Sequence, residues 1–454
     1  MAATKTTSKD AWTEVKGPMT REEAKVESSR CLYCYDAPCV TACPTHIDIP
    51  RFIRQIAAQD PLGSGETILE ANALGHSCAR VCPVEVLCEG ACVYHDWQEK
   101  PIQIARLQRH ATDAVYATGE PPFAPGKDNG KRVAIVGAGP AGASCAAYLR
   151  RLGFQVTLFE KRKLPGGLNT YGVAEYKMAQ PTAVEEMRFL FKLGCDVVSG
   201  KEVGRDVPVA DLVSEYDAVF IGIGLSDTRS LAIPGEDLPG VTDALAFIER
   251  VKARDKKLQG SSANTVVIGG GNTAIDASTQ SVRTGAGSVV MAYRRGPADL
   301  SAYEFELEHA RKDGVQILTN ATPVRILGKK KVEGVEFKGA DGATFTLPAD
   351  RVIKAIGQTK HFALAKAFGL KQHEDGRLVV KPETLETSKA GVFAGGDMVN
   401  GGKEVVNAAA DGKRAAWGIF RALFPGKPAP AGNDYWISTI DGRKVAPIKP
   451  RSGH

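Results

Sequence analysis

The sequence has no run of about 18 consecutive apolar residues, the length that a membrane-spanning helix needs. Its first residues, MAATKTTSKDAWTEV, lack the apolar core of a signal peptide and include acids, which argues against export and against a transit peptide. There is no concentrated basic stripe, and a net charge of +6 over 454 residues is mild. We therefore expect a cytoplasmic protein with neither a membrane nor a nucleic acid as partner.

Histidine is scarce as well, and none of the eight histidines belongs to a ligand-like pair. Cysteine is almost missing from most of the chain: only Cys145 and Cys195 lie outside residues 31–92, and we expect both to pack in the interior. The other eight cysteines are crowded into 31–92. Because a reducing cytosol keeps thiols free, this crowding indicates metal or redox chemistry rather than disulfides.

The pattern of the chain changes after a segment rich in proline and glycine at 118–131. Before it the sequence is polar and helical; after it short β-branched runs alternate with helical patterns, which is typical of parallel α/β structure. Two segments, RVAIVGAGPAGASCAAYLRRLG and TVVIGGGNTAIDASTQSVRTG, each predict a strand, a glycine turn and a helix. The expected fold is α/β, with an N-terminal all-α domain at 1–120, a Rossmann-like dinucleotide-binding domain made of 130–256 and 385–454, and a second, nested Rossmann-like dinucleotide-binding domain at 257–384.

The segment GAGPAG has the spacing of a dinucleotide-binding turn. Gly137 makes the turn, Gly139 lets the backbone approach a pyrophosphate, and Gly142 lets helix and strand pack closely. The pyrophosphate would lie at the helix N-terminus, where free amides attract anions. The next strand ends at Glu160, 23 residues after Gly137, where a ribose hydroxyl needs an acceptor.

Two later segments complete the pattern of a flavoprotein. PGGLNTYG brings a glycine pair that could pass close to a flavin, and AGGD offers Asp397 to a ribitol hydroxyl. With the first motif they predict FAD. The expected FAD-binding residues are Gly137, Gly139, Pro140, Ala141, Gly142, Glu160, Lys161, Gly166, Gly167, Leu168, Gly224, Gly396 and Asp397.

The second glycine motif should bind the nicotinamide dinucleotide. Its following strand, SVVMAYRRG, ends in Arg294 and Arg295 instead of an acid. These arginines could hold the 2′-phosphate of NADP(H), or they could only stack on adenine or face solvent, so NAD(H) stays open. The expected residues are Gly269, Gly271, Asn272, Thr273, Ala274, Arg294 and Arg295; Gly357 ends a strand at a crossing between the two domains and is also expected to bind a cofactor.

The clustered cysteines form two sets, the first spaced C-x2-C-x4-C-x3-C-P and the second within SCARVCPVEVLCEGAC. Structural zinc usually takes two CxxC pairs or Cys/His pairs, and only the first set contains a CxxC. A run that closes on Cys-Pro resembles the ferredoxin arrangement, in which the last cysteine ligates the other cluster. We therefore expect two [4Fe–4S] clusters rather than zinc.

Over nearly its whole length the chain resembles the flavin subunit of bacterial NAD-dependent dihydropyrimidine dehydrogenase, and more widely the small subunit of glutamate synthase. The resemblance rests on CLYCYDAPCVTACPTH, NALGHSCARVCPVEVLCEGAC, IARLQRHATD, GAGPAG, PGGLNTYG, GGGNTAIDA and AGGD. It implies one cluster held by Cys31, Cys34, Cys39 and Cys92, and another held by Cys43, Cys82, Cys88 and Gln108, with Cys78 as a spare. In the glutamate synthase branch a glutamate stands at position 108.

The resemblance also implies a function. NADH would pass a hydride to FAD, and the clusters would carry the electrons onward to a partner. The expected partner is the catalytic subunit of dihydropyrimidine dehydrogenase, which carries FMN and iron–sulfur clusters and reduces uracil or thymine. The two subunits would form a hetero-oligomer, expected to be a heterotetramer. No catalytic side chain is expected, because the cofactors carry the chemistry. An arginine of the NADPH-using eukaryotic enzyme is matched here by Ser301, which favours NADH. The alternatives are the small subunit of glutamate synthase, a general NAD(P)H:ferredoxin-type reductase and a non-catalytic redox scaffold.

Overall fold

The structure, a computed structural model, describes residues 12–440. Its contacts divide the chain into two compact units. The larger unit comprises Lys16–Thr170, Pro181–Leu225 and the described residues from Lys360 onward; the smaller comprises the described residues up to Val15, Tyr171–Gln180 and Ser226–Thr359. Between residues 12 and 440, no helix combines the length and the apolar character that crossing a membrane requires.

The N-terminal part of the larger unit is helical, and no strand occurs between residues 12 and 131. Its helices start at residues suited to capping: Thr20 and Glu23 bond each other's backbone amides, and Asp60 accepts from the Gly63 amide at 2.8 Å. The helices are α1 (Arg21–Ser29), α2 (Pro38–Ala42), α3 (Ile49–Ala57), α4 (Pro61–Ala71), α5 (Gly75–Val81) and α6 (Ile104–Ala117), with 3-10 turns at Val84–Val86 and Val93–Trp97.

The rest of the larger unit is built around a five-stranded parallel sheet. Its strands are β1 (Arg132–Val136), β2 (Gln155–Glu160), β3 (Asp196–Ser199), β4 (Ala218–Ile221) and β13 (Val392–Ala394), in the order β13-β4-β1-β2-β3. Its helices, numbered through the whole chain, are α7 (Pro140–Arg151), α8 (Leu168–Tyr171), α9 (Gln180–Phe191), α10 (Val209–Glu215), α14 (Phe362–Phe368), α15 (Asp397–Asn400), α16 (Val405–Leu423) and α17 (Asp434–Ser438). The strand order reverses at β1, and ligands of open α/β sheets bind beyond such a switch point.

The smaller unit has a second parallel sheet and an antiparallel one. The parallel strands are β5 (Val241–Asp243), β6 (Asn264–Ile268), β7 (Ser288–Ala292), β8 (Gln316–Leu318) and β12 (Arg351–Lys354), in the order β5-β12-β6-β7-β8. The antiparallel strands are β9 (Thr322–Leu327), β10 (Gly334–Lys338) and β11 (Thr344–Pro348). The helices are α11 (Ala244–Lys252), α12 (Asn272–Arg283) and α13 (Glu304–Lys312), with a 3-10 turn at Pro297–Asp299.

The predicted α/β class with a helical N-terminal domain is confirmed, but the units differ from the expected boundaries. The smaller unit begins at 226 rather than 257, because β5 pairs in parallel with β12. It ends at 359 rather than 384. It also includes Tyr171–Gln180, because Lys177 pairs with Asp276 at 2.8 Å and with Glu306 at 2.6 Å.

Candidate functional site

The eight clustered cysteines lie at helix ends and in the loops between the short N-terminal helices. In the first set, Cys31 and Cys34 lie in the loop after α1, Cys39 lies in α2, and Cys43 ends that helix. In the second set, Cys78 lies in α5, Cys82 ends that helix, and Cys88 and Cys92 lie in the loop that follows. All are free thiols. Short helices that stop at a cysteine place its sulfur beside loops rather than inside a helical stack, so several chain segments can share one site.

One group of thiols contains four of the predicted ligands. Burial raises the pKa of Cys39 to about 12, and the neighbouring Cys31, Cys92 and Cys34 thiols add to that rise. Burial also raises the pKa of Cys31, with further contributions from Cys34 and Cys92. These four cysteines are the set that the resemblance implies for one cluster, and the ligand assignment stays a prediction.

The second group lies deeper in the fold. Burial raises the pKa of Cys88, and the largest further contributions come from the neighbouring Cys43, Glu89 and Cys82. The pKa of Cys82 is raised first by a hydrogen bond with the Cys78 thiol and then by burial. Cys78 is itself only 3% exposed, as expected of a spare packed thiol.

Gln108, the predicted non-cysteine ligand, lies on α6 and is 7% exposed. Its side-chain nitrogen donates to the Gly75 carbonyl at 2.7 Å. Because a carbonyl can only accept, the amide nitrogen must face Gly75, and the amide oxygen points the other way. That oxygen is the atom that can bind iron.

The donor set fits iron–sulfur clusters. Buried, crowded thiols with raised pKa values stay neutral unless a positive metal centre takes up the charge of their thiolates. Throughout residues 12–440, no three His, Cys, Asp or Glu side chains converge closely enough to hold a single metal ion.

The three segments predicted to bind FAD meet at the carboxyl end of β1. A β-carbon on Gly167 would lie 3.0 Å from the Gly139 Cα atom, and one on Gly396 would lie 3.1 Å from Ala141 Cβ. Gly142 has no room for a side chain, because a β-carbon there would lie 1.9 Å from the Gly137 carbonyl oxygen. The turn and the first amides of α7, which starts at Pro140, therefore face the other two segments.

Glu160 is 6% exposed at the end of β2. Its two carboxylate oxygens accept from the Ala138 amide at 2.9 Å and from the Arg162 amide at 2.8 Å. These bonds hold the carboxylate against the glycine turn, and each oxygen keeps a lone pair for a ribose hydroxyl. The adjacent Lys161 is exposed, Leu168 is 38% exposed at the start of α8, and Gly224 lies after β4 with a positive φ of 70°.

Asp397 begins α15, directly after the left-handed Gly396. Burial raises its pKa, and it accepts from the Lys403 amide at 3.2 Å. A second carboxylate, Asp411 of α16, accepts from the Gly396 amide at 2.9 Å, and burial raises its pKa also. The sequence interpretation missed Asp411; the only signal was an acid in the helix that follows AGGD.

The nicotinamide motif opens on a cavity of about 600 Å³ in the smaller unit. Six predicted residues line it: Gly269, Gly271, Thr273, Arg294, Arg295 and Gly357. Two do not: Asn272 instead accepts from the Tyr303 amide at 3.1 Å, and Ala274 is fully buried in α12. Lys354 and Ser301 also line the cavity, and the former was not predicted.

Arg294 and Arg295 are both exposed at the mouth of this cavity. The guanidinium of Arg295 lies 5.4 Å from the centre of the Tyr293 ring, and Tyr293 is held by a hydrogen bond from its hydroxyl to the Asp299 carbonyl at 2.8 Å. Within residues 12–440, neither arginine side chain forms an ion pair or hydrogen bond, so both guanidinium groups can serve a phosphate, a ribose or an adenine ring.

Comparison with known proteins identifies the domains that carry these residues. Residues 8–120 match the family model described as dihydropyrimidine dehydrogenase domain II, 4Fe-4S cluster, and residues 131–412 match that of pyridine nucleotide-disulphide oxidoreductases. The glutamate synthase [NADPH] small chain of Halomonas elongata is 34% identical over 442 residues, covering 90% of this chain and 93% of that one. The NAD-dependent dihydropyrimidine dehydrogenase subunit PreT of Salmonella typhimurium is 36% identical over 401 residues, covering 87% and 94%.

Among solved structures, FprA from Mycobacterium tuberculosis superposes with a TM-score of 0.55 and 21% identity, covering 64% of this chain and 84% of that one. This structural similarity supports the fold of the part of the chain that it covers. The matches confirm the predicted fold class and the predicted cofactors, which are iron–sulfur, FAD and a nicotinamide dinucleotide. The chain is therefore an NAD(P)-dependent flavoprotein oxidoreductase, and it belongs to the pyridine nucleotide-disulphide oxidoreductases that carry an N-terminal 4Fe-4S domain of the dihydropyrimidine dehydrogenase type.

Proposed function

We propose that this chain is the electron-input subunit of a dihydropyrimidine dehydrogenase, oxidising NADH and supplying electrons to a partner subunit that reduces uracil or thymine to the 5,6-dihydropyrimidine. When bound, FAD accepts an electron pair from the nicotinamide and the two [4Fe–4S] clusters pass electrons onward singly. The two relatives described above are a small chain and a subunit of larger enzymes, which supports a hetero-oligomer.

The chain's own residues bind and orient the cofactors. The amides at the start of α7 would hold the FAD pyrophosphate, Glu160 would accept from a ribose hydroxyl, and Asp397 would accept from the ribitol chain. In the smaller unit, the glycine turn before α12 and the two exposed arginines line the space for the nicotinamide dinucleotide. No side chain has to move a proton, because the cofactors carry the reaction.

The choice of partner rests on Gln108. A neutral amide at position 108 matches the pyrimidine branch, whereas the glutamate synthase branch has a carboxylate there; the Gln108 nitrogen donates to Gly75, which leaves its oxygen for a cluster. The competing function, the small subunit of glutamate synthase, is favoured by the 34% identity of a relative with that name over 90% of the chain. Both functions use the same cofactors and differ in the subunit that receives the electrons.

We further propose that NADH is the preferred donor. Ser301 lines the nicotinamide cavity where a second phosphate-binding arginine would stand in an NADPH-specific member, and its hydroxyl lies 3.4 Å from the Gly270 carbonyl. Because this serine points towards the glycine loop, only Arg294 and Arg295 of the predicted residues could bind the 2′-phosphate of NADP(H). Specificity for the phosphate is weaker when one of its charged partners is missing.

The test is anaerobic. The tagged chain is captured from its native cells with whatever co-purifies, and NADH oxidation is followed after adding uracil or, separately, glutamine with 2-oxoglutarate. A uracil-dependent rate is expected. A response only to the second pair would assign the chain to glutamate synthase, and dye reduction with no response to either would leave a reductase without this partner. Repeating the assay with NADPH at equal concentration tests the donor preference.

A further inference from the structure

Lys413 of α16 is a lysine buried in the larger unit, with an exposed fraction of only 2%. Its ammonium nitrogen donates three hydrogen bonds of 2.7 Å, to the Thr45 carbonyl, the Ala71 carbonyl and the Thr439 hydroxyl. Thr45 and Ala71 belong to the helical region that carries the cysteines. A helix of the flavin domain therefore places its lysine against the cluster domain.

The hydrogen bonds fix the charge of Lys413. Two of its partners are carbonyls, which can only accept, and the third, the Thr439 hydroxyl, spends its own proton on the Trp436 carbonyl at 2.7 Å. All three partners therefore need a proton from the lysine. A neutral amine has only two N–H bonds, whereas an ammonium group has three. The geometry selects the charged form.

A buried positive charge needs a negative partner, and within residues 12–440 no carboxylate forms an ion pair with Lys413. Burial lowers its pKa to about 7; the Cys43 thiol opposes that shift, and Arg414 adds to it. The charge of Lys413 also acts on His46, whose pKa is lowered by burial and by that charge. Among the described residues that act on this ammonium, Cys43 is the one that would carry a negative charge, as a thiolate ligand of its cluster.

Cys43 is a predicted ligand of the second cluster, and Thr45 links it to the lysine. The Thr45 hydroxyl lies 3.3 Å from the Cys43 sulfur, while the Thr45 carbonyl accepts from Lys413. A cluster held by thiolates is an anion, and it gains a further negative charge each time it accepts an electron. An ammonium fixed nearby favours that reduced state more than the oxidised one.

We infer that Lys413 is the fixed counter-charge of the cluster held by Cys43, Cys82, Cys88 and Gln108, and that it raises the reduction potential of this cluster relative to the other one. The inference rests on the ligand set of the proposed function. It does not depend on which partner receives the electrons, since it concerns a property of this chain alone. Lys413 acts as a positioning residue and touches no substrate.

The experiment is a potentiometric titration of the anaerobically prepared holoprotein, followed by electron paramagnetic resonance. Lys413→Met removes the charge, and Lys413→Gln removes it while keeping two donors for the carbonyls. Both substitutions should lower the reduction potential of one cluster. At a fixed applied potential, the ratio of its reduced to its oxidised form should fall at least about tenfold, which corresponds to 59 mV for a one-electron couple. The other cluster should keep its potential.

Two further variants provide the controls. Cys43→Ser identifies which signal belongs to the cluster in question; if it alters neither signal, the ligand set is wrong, independently of the partner assay. Arg414→Met removes a charge from the next residue, which is partly exposed and lies 4.0 Å from Asp411, and should shift the potential less. Unchanged potentials in both Lys413 variants at full iron content would overturn the inference. So would loss of iron in both with FAD retained, because Lys413 would then assemble the cluster rather than tune it.

Discussion

Glu186 offers a quantitative test of how the flavin domain contacts the cluster domain. This glutamate of α9 is fully buried; it accepts from the Ser77 amide at 2.9 Å and from the Ser77 hydroxyl, which in turn accepts from the Asn169 side chain at 3.0 Å. Ser77 belongs to α5, the helix that ends at Cys82. Replacing Glu186 with glutamine keeps the shape of the side chain and removes its ability to ionise.

The size of the effect follows from the pKa of Glu186. Burial raises this pKa from 4.5 to about 7. Because the folded value is the higher one, the folded state binds more protons between these pH values. The stability that this carboxyl contributes is therefore fully present below about pH 4.5 and is lost as the pH rises to about 7, a loss of about 3 kcal/mol. The glutamine variant should not lose it.

The assay compares the free energy of unfolding of wild type and Glu186→Gln in anaerobic urea titrations at pH 5 and pH 8. The quantity compared is the free energy of unfolding of the variant minus that of wild type. This difference should increase by about 2–3 kcal/mol in favour of the variant between pH 5 and pH 8. The matched control is Glu185→Gln, because Glu185 is the exposed neighbour on the same helix. Parallel pH profiles for wild type and Glu186→Gln would refute the reasoning.

Three further predictions concern the cofactor sites. Gln108→Ala should remove one cluster signal and the uracil-dependent rate while NADH-dependent dye reduction persists; loss of dye reduction as well would contradict its assignment as a cluster ligand. Gly142→Val should purify without FAD, since even a β-carbon there lies 1.9 Å from the Gly137 carbonyl, and a normal flavin content would disprove the close contact. Arg294→Ala should raise the KM for NADPH roughly tenfold and that for NADH less, whereas an equal rise would assign this arginine to the shared part of the dinucleotide.

Much of the fold follows from local sequence patterns. RVAIV forms β1 and the helix after GAGPAG forms α7, because an apolar β-branched run, a glycine turn and a helix with small residues occupy adjacent positions. The domain boundaries do not follow in this way. The pairing of Val241 with Val352 joins strands more than a hundred residues apart, and no local pattern reports such a contact.

The candidate site was predictable to a similar degree. Glycine turns and cysteine spacings have few alternative explanations, so the convergence of Gly139, Gly167 and Gly396 on one sheet edge could be expected. The roles of Asp411 and Lys413 could not. Asp411 and Lys413 look like ordinary charged positions of an amphipathic helix, since lysine and aspartate are rarely buried unless paired. Only the packing of α16 shows that they face inward.

The buried ionisable residues Glu186 and Lys413 explain how the cluster domain and the flavin sheet can keep one arrangement, because each has hydrogen-bond partners in the cluster domain. Glu186 contacts the helix that leads to Cys82, and Lys413 contacts the loop that follows Cys43. A shifted packing would leave each charge buried without its partners, which costs more than the loss of an apolar contact. The rate of electron transfer depends on the distance between the cofactors. Two hydrogen-bonded contacts that form in only one arrangement fix this distance better than a purely apolar interface, in which the domains could shift relative to each other.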